Sequence, residues 1–356
     1  MKTIKGSEFA NNSLIPSPTG GGGGAAVSYY FDADFSYLEQ IVSRERTILI
    51  TDENIFERQQ VKFAGWKTIV IKAGEAYKQQ ATVDHIFEQL IQYEADRKTF
   101  IVGIGGGVVT DITGYAASLF MRGLKFGFVP TTILAMVDAS IGGKNGVDVG
   151  IYKNLVGLIK QPEFLLFDYS LLQTLPQEQW VNGFAEIIKH ACIKDAALFA
   201  LLENETLENF QSDKNKLAAL VEKNVQIKTS VVLKDEFENG DRRLLNFGHT
   251  LGHAIENNYQ LLHGHAVSIG MVAACTISEE INNFYSVEKE SVIRLIEKYH
   301  LPAHLKFDHE KIWGILKMDK KRVGNEMNFV LLNKIGEAVV QSIPIVQLKD
   351  LINQSL

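Results

Sequence analysis

Residues Thr99–Asp111 read TFIVGIGGGVVTD. The apolar run Phe100-Ile101-Val102-Gly103-Ile104 has the length and character of a buried strand. It breaks into Gly105, Gly106 and Gly107, and Val-Val-Thr-Asp then opens a helical pattern. A strand that ends in glycines and starts a helix gathers bare backbone N–H groups at the positive end of a helix dipole. That suits a phosphate or pyrophosphate, and equally a tight turn with no ligand. The usual dinucleotide fingerprint G-x-G-x-x-G is not met, because counting from Gly103 puts Val108 where its third glycine belongs.

Outward from this stretch, strand-like and helix-like segments alternate. Thr47–Thr51 (TILIT) and Lys67–Ile71 (KTIVI) are short apolar strands before it, and Phe126–Val129 and Phe164–Phe167 follow it. Thr82–Glu94 has helical periodicity, with Val83, Ile86, Phe87, Leu90 and Ile91 on one face. The alternation predicts an α/β domain with a Rossmann-like parallel sheet. Ligands of such sheets bind beyond the carboxyl ends of the strands. Asp52, Glu75, the glycines and Pro130-Thr131-Thr132 each lie just past a strand end, so they should face one crevice.

After Leu175-Pro176 the texture changes. Gln177–Glu205, Lys214–Lys234, Leu244–Tyr259, Ala266–Phe284 and Val287–His300 are helix-like, with a short β pair near Asn328–Leu332 and Ala338–Gln341. Residues 1–28 contain Pro16-Ser17-Pro18 and five glycines at Gly20–Gly24, which reads as a flexible segment. Gly6-Ser7-Glu8-Phe9 reads equally as a cloning remnant or as native sequence. The predicted organisation is a flexible segment over 1–28, an α/β domain over 29–175 and a mainly helical domain over 176–356.

Composition narrows the function classes. The 356 residues are 46% hydrophobic and 22% charged, with a net charge of −6, as in an ordinary globular protein of about two domains. No basic stripe is present, which argues against a nucleic-acid partner. Cations beside glycines in an acidic chain instead suggest a local anion pocket. Cys192 and Cys275 alone cannot build a disulfide framework or a thiolate zinc site. No apolar run reaches the roughly 18 residues that span a bilayer, and no signal-peptide pattern opens the chain. The expected location is the reducing cytoplasm.

Four clusters carry chemistry-bearing side chains. His249 and His253 in NFGHTLGHAIE are four apart and share a helix face, and His263 and His265 follow closely. A lone helical histidine is ordinarily a packed residue, but four within 17 positions point to metal or acid–base chemistry. Thr250 stands where the zinc-protease motif needs glutamate. In the apolar stretch GFAEIIKH, Glu186, Lys189 and His190 form a charged trio that is either a surface pair or a buried site. A catalytic zinc takes three protein ligands, and Glu186 is a candidate for one of them. Asp138 to Gly146 (DASIGGKNG) surrounds Lys144 with glycines, followed by Lys153-Asn154; it reads as an anion cradle or a surface turn. Arg122, Lys228, Arg242, Lys320 and Lys321 taken singly read as solvated charges.

The motifs GGGVVTDITGYAA, MRG, VPTT, VDASIGGKNGV, YKN, GFAEIIKH, NFGHTLGHAIE, HGHAVSIGM and MDKK stand in this order across about residues 40 to 340. Together they resemble the 3-dehydroquinate synthase family of sugar-phosphate cyclases. The resemblance implies NAD bound by the α/β domain, a divalent metal (zinc, with cobalt as an alternative), and an active site in the cleft between the two domains. It assigns Glu186, His249 and His263 to the metal. Asp52, Asn54, Glu75, Lys78, Gly106, Gly107, Val108, Asp111, Thr131, Thr132, Lys144, Lys153 and Thr174 match cofactor positions. Arg122, Asp138, Lys144, Asn154, Lys189, Lys228, Arg242, Asn246, His253, Lys320 and Lys321 match the substrate pocket. Of these, Lys144, Lys189, Arg242, Asn246 and His253 match catalytic positions, with His253 as proton carrier.

The implied substrate is 3-deoxy-D-arabino-heptulosonate 7-phosphate, whose phosphate and carboxylate account for the scattered cations. The implied reaction of the shikimate pathway oxidises one hydroxyl with NAD, eliminates phosphate, returns the hydride, opens the ring and closes it by an aldol step. NAD ends unchanged, so the enzyme is a lyase, and the resemblance also implies a homodimer. Two positions depart from the family pattern. His265 stands in place of a common glutamate, as an alternative ligand or a partner to the ligating ring, and Thr110 replaces a common glycine before Asp111. Rival readings are a cyclase acting on sedoheptulose 7-phosphate or glucose 6-phosphate, a metal-dependent alcohol or glycerol dehydrogenase, and a non-catalytic binding protein. Lys228, Arg242, Asn246 and His253 are the types of the dehydroquinate-forming enzymes, which favours a carboxylate-bearing substrate.

Overall fold

The stretch at Thr99–Asp111 does form a strand that turns into a helix. In the computed structural model, residues 1–6, 8, 27–150, 152–316 and 322–355 are described. The strands of the main sheet are β1 (Lys2–Lys5), β2 (Ser28–Phe31), β3 (Thr47–Asp52), β4 (Lys67–Ile71), β5 (Phe100–Gly105) and β6 (Lys125–Pro130). A separate hairpin of β7 (Lys144–Val149) and β8 (Tyr152–Ile159) precedes the last sheet strand, β9 (Phe164–Phe167). The sheet order is β1-β2-β9-β6-β5-β3-β4, with every pairing parallel except β1 against β2.

This order explains where a ligand belongs. From β3 the chain moves outward to β4, then crosses back to lay β5 on the other side of β3. The switch in direction leaves a crevice at the carboxyl ends of β3 and β5. Asp52 ends β3 and the glycine turn ends β5. The apolar strands need cover on both faces. Leu49, Val102, Ile104, Val129, Phe164 and Leu166 pack with Phe35, Phe63 and Trp66 in one buried cluster.

The helices used below are α1 (Glu53–Arg58), α2 (Gln80–Gln92), α3 (Gly107–Leu119), α4 (Gln177–Lys194), α5 (Lys214–Lys234), α6 (His249–Tyr259) and α7 (His263–Asn282). Helix α2 buries Val83, Ile86 and Leu90 of its predicted apolar face, with Phe87 partly buried, but leaves Ile91 exposed. Helix α3 starts directly from the glycine turn. A Cβ on Gly105 would lie 2.5 Å from Val109 Cβ, so the helix starts where it does because residue 105 has no side chain. Gly105→Ala should therefore wedge α3 away from β5 and cost about 1–3 kcal/mol. Urea unfolding of the variant checks this, and an unchanged midpoint would refute the close approach.

The chain groups into two compact units. The first holds Met1–Pro176 and Ala218–Leu233, and the second holds Gln177–Leu217 and Lys234–Leu356. Most of α5 thus belongs with the α/β unit, against the expected single boundary after Leu175. One reason is Lys228, whose ammonium lies 2.8 Å from Asp138 Oδ1 and donates to the Asp138 carbonyl at 2.6 Å. Among the described residues the second unit is mainly helical, with three strands, β10 (Arg322–Val323), β11 (Glu326–Lys334) and β12 (Glu337–Pro344).

Several local readings need correction. Lys2–Lys5 is not irregular: it pairs antiparallel with β2 and buries Ile4. The expected helix Gln177–Glu205 is two helices, because Asp195 caps a new one at Ala196–Asn204 by accepting from Leu198 N at 2.9 Å. The helix expected from Leu244 starts only at His249, after a 3₁₀ turn over Asp241–Asn246, and the one expected from Ala266 starts already at His263. The proline–glycine segment over 16–24 and the pair Lys320 and Lys321 lie outside the described residues.

Candidate active site

In the first unit, the carboxyl ends of adjacent strands assemble a row of groups. Gly106 precedes α3 with no side chain capping the helix, so the N–H groups of its first turn stay open to a ligand. Gly107 and Val108 begin the helix and are partly exposed. The Thr131 N–H donates to Gly105 O at 2.9 Å and ties β6 to the turn. The Thr131 hydroxyl is buried and has no hydrogen-bond partner among the described residues. Such an orphan beside an uncapped helix start fits a bound pyrophosphate-bearing cofactor. The Thr132 hydroxyl instead accepts from Ala135 N at 3.1 Å.

Asp52 lies partly buried past β3, and one of its oxygens accepts from Ile55 N at 3.0 Å, capping α1. Burial raises its carboxyl above the ordinary range. Asn54 is exposed in α1. Thr174 is exposed, and its carbonyl accepts from Arg58 at the far end of the same helix at 2.6 Å. The exposed Glu75 lies 3.4 Å from Lys153.

Lys78 is the centre of this row. Its ammonium lies 2.6 Å from Asp111 on α3 and 2.6 Å from Asn154 on β8, and its carbonyl accepts from Asp148 N at 2.8 Å. Burial pushes the Lys78 pKa down, but the charges of Asp111 and Glu75 outweigh it and hold the group above its usual range.

The stretch read as a cradle or surface turn becomes the hairpin β7–β8, with Lys144 exposed at its first position and Asn154 exposed on the second strand. Arg122 is not brought to the glycine turn. It is exposed beyond the far end of α3, about 20 Å of helix away. Thr110 is fully buried and its hydroxyl donates to Gly107 O at 3.0 Å, so it faces into the helix and not toward a ligand.

In the second unit, Glu186 is fully buried on α4. Its Oε1 lies 3.4 Å from His249 Nε2 and 3.2 Å from His263 Nε2, and its other oxygen pairs with Lys189. Burial pushes the Glu186 carboxyl up, but the Lys189 ammonium and the two imidazoles outweigh it and hold the group well below the usual carboxylate range. One ligand atom from each of Glu186, His249 and His263 lies within 4.8 Å of the others. Two imidazole nitrogens and one carboxylate oxygen form a three-ligand set of the kind that catalytic zinc uses. His253 stacks edge-on to His249, with ring centroids 5.2 Å apart.

Gly248 of NFGHTLGHAIE and Gly270 of HGHAVSIGM serve helix packing. Gly248 has φ +78°, and a Cβ there would lie 2.7 Å from Val267 O. A Cβ on Gly270 would lie 1.9 Å from Gly248 O. These residues let α6 and α7 meet backbone to backbone, which brings His249 and His263 together. His265 points elsewhere: its buried Nε2 has no hydrogen-bond partner among the described residues, and it borders a cavity of about 610 Å³ with Leu261, Ile269 and Leu305. Of the alternatives His263 and His265, it is His263 that converges on Glu186.

Arg242 is almost fully buried and its side chain donates to Glu236 O, while Asn246 donates to Glu238 at 2.6 Å. Asp235 shapes this loop by accepting from Asn239 N, Gly240 N and Arg242 N at 2.9, 2.7 and 3.0 Å. Burial raises its pKa, but the three backbone N–H groups outweigh that and depress it. A depressed carboxylate stabilises the fold fully above its unfolded pKa and loses that contribution as pH falls through the folded value. Asp235→Ala should cost about 1 kcal/mol near neutral pH, as a lost cap does. Urea unfolding should show the variant and wild type converging below about pH 4, and a pH-independent difference would refute the account.

Two contributors were not singled out from the sequence. Glu256 accepts from His263 Nδ1 at 3.3 Å, and Asn182 accepts from Gly264 N at 2.6 Å. Glu256 was within reach, because it stands seven positions after His249 and three after His253 in a motif already read as chemical.

Comparison with known proteins shows the family. The 3-dehydroquinate synthase N-terminal family model matches residues 68–182, and the corresponding C-terminal model matches residues 183–322. A 3-dehydroquinate synthase of Pyrococcus abyssi (strain GE5 / Orsay) is 41% identical over 278 residues, covering 78% of this chain and 81% of that protein. The crystal structure of 2-deoxy-scyllo-inosose synthase with carbaglucose-6-phosphate, NAD+ and Co2+ is 25% identical at a TM-score of 0.82, covering 93% of this chain and 97% of that one. The 2-epi-5-epi-valiolone synthase of Streptomyces hygroscopicus subsp. jinggangensis 5008, with NAD+ and Zn2+ bound, is 28% identical at a TM-score of 0.80, covering 87% and 91%. With matched models running from residue 68 to residue 322, this chain belongs to the 3-dehydroquinate synthase family.

Proposed function

We propose that this chain is a 3-dehydroquinate synthase that converts 3-deoxy-D-arabino-heptulosonate 7-phosphate to 3-dehydroquinate and phosphate. The observation that carries the reading is the convergence of His249 and His263 on the buried Glu186 carboxylate, beside the buried ammonium of Lys189. Glu186, His249 and His263 hold a divalent metal, zinc or cobalt. The glycine turn, Asp52, Asn54, Glu75, Lys78, Thr131, Thr132, Lys153 and Thr174 hold NAD. When bound, NAD supplies a reversible hydride acceptor and the metal a Lewis acid for the reacting hydroxyl.

The chain's own residues bind and orient the substrate. Lys144, Lys228 and Arg242 match its two anionic ends, with Asp138, Asn154, Lys189 and Asn246 fixing the hydroxyls. His253 carries the proton. Lys320 and Lys321 complete the assignment to substrate, while Arg122, exposed beyond the far end of α3, rests on its residue match alone. The family resemblance extends the reading to a carbon–oxygen lyase that works as a homodimer, and the count of only two cysteines to one placed in the reducing cytoplasm. Among the described residues no helix is long and apolar enough to cross a membrane.

Incubation with NAD, zinc and the heptulosonate phosphate should release phosphate and dehydroquinate in equal amounts. NADH absorbance near about 340 nm should not grow, since the hydride returns. Sustained growth would indicate a dehydrogenase, and phosphate release from sedoheptulose 7-phosphate alone would overturn the substrate.

A further inference from the structure

We propose that Glu256 is a positioning residue of the metal centre: it takes the Nδ1–H of His263 and so fixes which ring nitrogen faces Glu186 and His249. The inference rests on the reading of Glu186, His249 and His263 as metal ligands. A neutral imidazole has one N–H and one lone pair, and only the lone pair can bind a metal. In His263 the two nitrogens have different neighbours. Nε2 lies 3.2 Å from Glu186 Oε1, and Nδ1 lies 3.3 Å from Glu256 Oε2. A proton held on Nδ1 by Glu256 leaves the Nε2 lone pair directed at the ligand set.

Burial and helix geometry support the assignment. The Glu256 side chain is 5% exposed, and a carboxylate so placed needs a partner that repays its desolvation. Glu256 stands two turns after His249 on the same face of α6. One helix therefore supplies both a ligand ring and the group that orients the ring of the next helix. His249 meets the same need differently, with its Nδ1 lying 3.1 Å from the Phe247 carbonyl. The first turn of α7 is itself held by Asn182, whose Oδ1 accepts from Gly264 N at 2.6 Å. With the backbone beside His263 tied down, rotation of its ring is the freedom left, and Glu256 removes it. A charged acceptor also makes the ring a stronger donor than a neutral carbonyl does.

The test is zinc affinity of the purified full chain, measured by competition with a chromogenic chelator. Glu256→Ala should weaken binding about 10–100-fold, with one zinc still bound per chain. Glu256→Gln, whose amide oxygen can still accept from Nδ1, should lose less. The proton shift of the His263 Nδ1–H in the zinc-loaded protein gives a second readout, which should move upfield in both Glu256→Ala and Glu256→Gln as the charged acceptor is lost. If Glu256→Ala does not fold, Glu256→Gln carries the test in both measurements. Affinities of both variants within about twofold of wild type would overturn the proposal. So would a second zinc in the wild type that is lost in Glu256→Gln, because His253, Glu256 and His263 also lie close enough to hold an ion. Glu186→Gln separates the two failures. If it loses zinc while Glu256→Ala keeps full affinity, only this proposal falls. If it keeps full affinity, the metal reading falls as well.

Discussion

Glu186→Gln should abolish zinc retention and lower turnover by roughly 10³-fold or more, since a Lewis-acid metal is worth several kcal/mol to the transition state. The substitution keeps the size of the side chain and removes only its charge, so any loss belongs to the carboxylate. The structure also predicts a second effect. Lys189 is almost fully buried and pairs with Glu186, which is itself fully buried. Removing one member of a buried pair leaves the other uncompensated, at about 3–5 kcal/mol. Glu186→Gln should therefore also melt earlier. The double variant Glu186→Gln with Lys189→Met separates the two losses. It should recover much of the stability, because both charges are gone, and recover no zinc binding. Chelator treatment of the wild type should abolish activity, and zinc or cobalt should restore it. A Glu186→Gln enzyme that keeps its metal and its turnover would remove the basis of the proposed function.

The sheet was readable in the sequence for a physical reason. Strands β3, β5, β6 and β9 lie inside a covered parallel sheet that β4 edges, so they read as apolar runs, and the chain marks their ends with Asp, Gly and Pro. Strand β1 lacked that mark, because in KTIK only Ile4 is buried. The hairpin β7–β8 was hidden because the side chains of Tyr152–Ile159 are mostly exposed, with no apolar alternation to detect. The assignment of Ala218–Leu233 to the first unit could not be read from periodicity, which says that a helix has an apolar face but not what covers it.

The candidate site was legible as a set of residue types and less so as a division of labour. The histidine cluster pointed to metal chemistry, and Glu186, His249 and His263 do converge. The glycines beside them, Gly248 and Gly252, allow two helices to touch, a packing role that sequence spacing cannot distinguish from a ligand-binding one. Asp52 shows a related ambiguity, because an acid after a strand is equally a helix cap, and here it does cap α1. Glu256 escaped notice because a carboxylate late in a helical motif looks like a surface charge until its burial is known.

Lys78→Met should destabilise the first unit by about 3–5 kcal/mol and weaken NAD binding. Methionine keeps most of the apolar stem, so the loss belongs to the ammonium. That ammonium reaches Asp111 in the helix that leaves the glycine turn and Asn154 in the hairpin, each at 2.6 Å. Three segments distant in sequence are thus clamped by one buried charge: the turn after β4, the start of α3 and the strand β8. Without it, Asp111 keeps a poorly solvated carboxylate with no cation at 2.6 Å, and the hairpin carrying Lys153 loses one of its ties to α3. Displacing the first turn of α3 by about 1 Å is enough to cost as much as a hundredfold where geometry controls function. NAD titration and urea unfolding should therefore change together in Lys78→Met. A double-mutant cycle with Asp111→Asn tests the cause. Groups in direct contact should show a coupling of about 0.5–3 kcal/mol, whereas independent groups add. Zinc affinity provides the internal control, because Glu186, His249 and His263 all belong to the second unit. If Lys78→Met lowers zinc affinity as much as it lowers NAD affinity, the damage is global and the clamp is not what holds the NAD-binding row together.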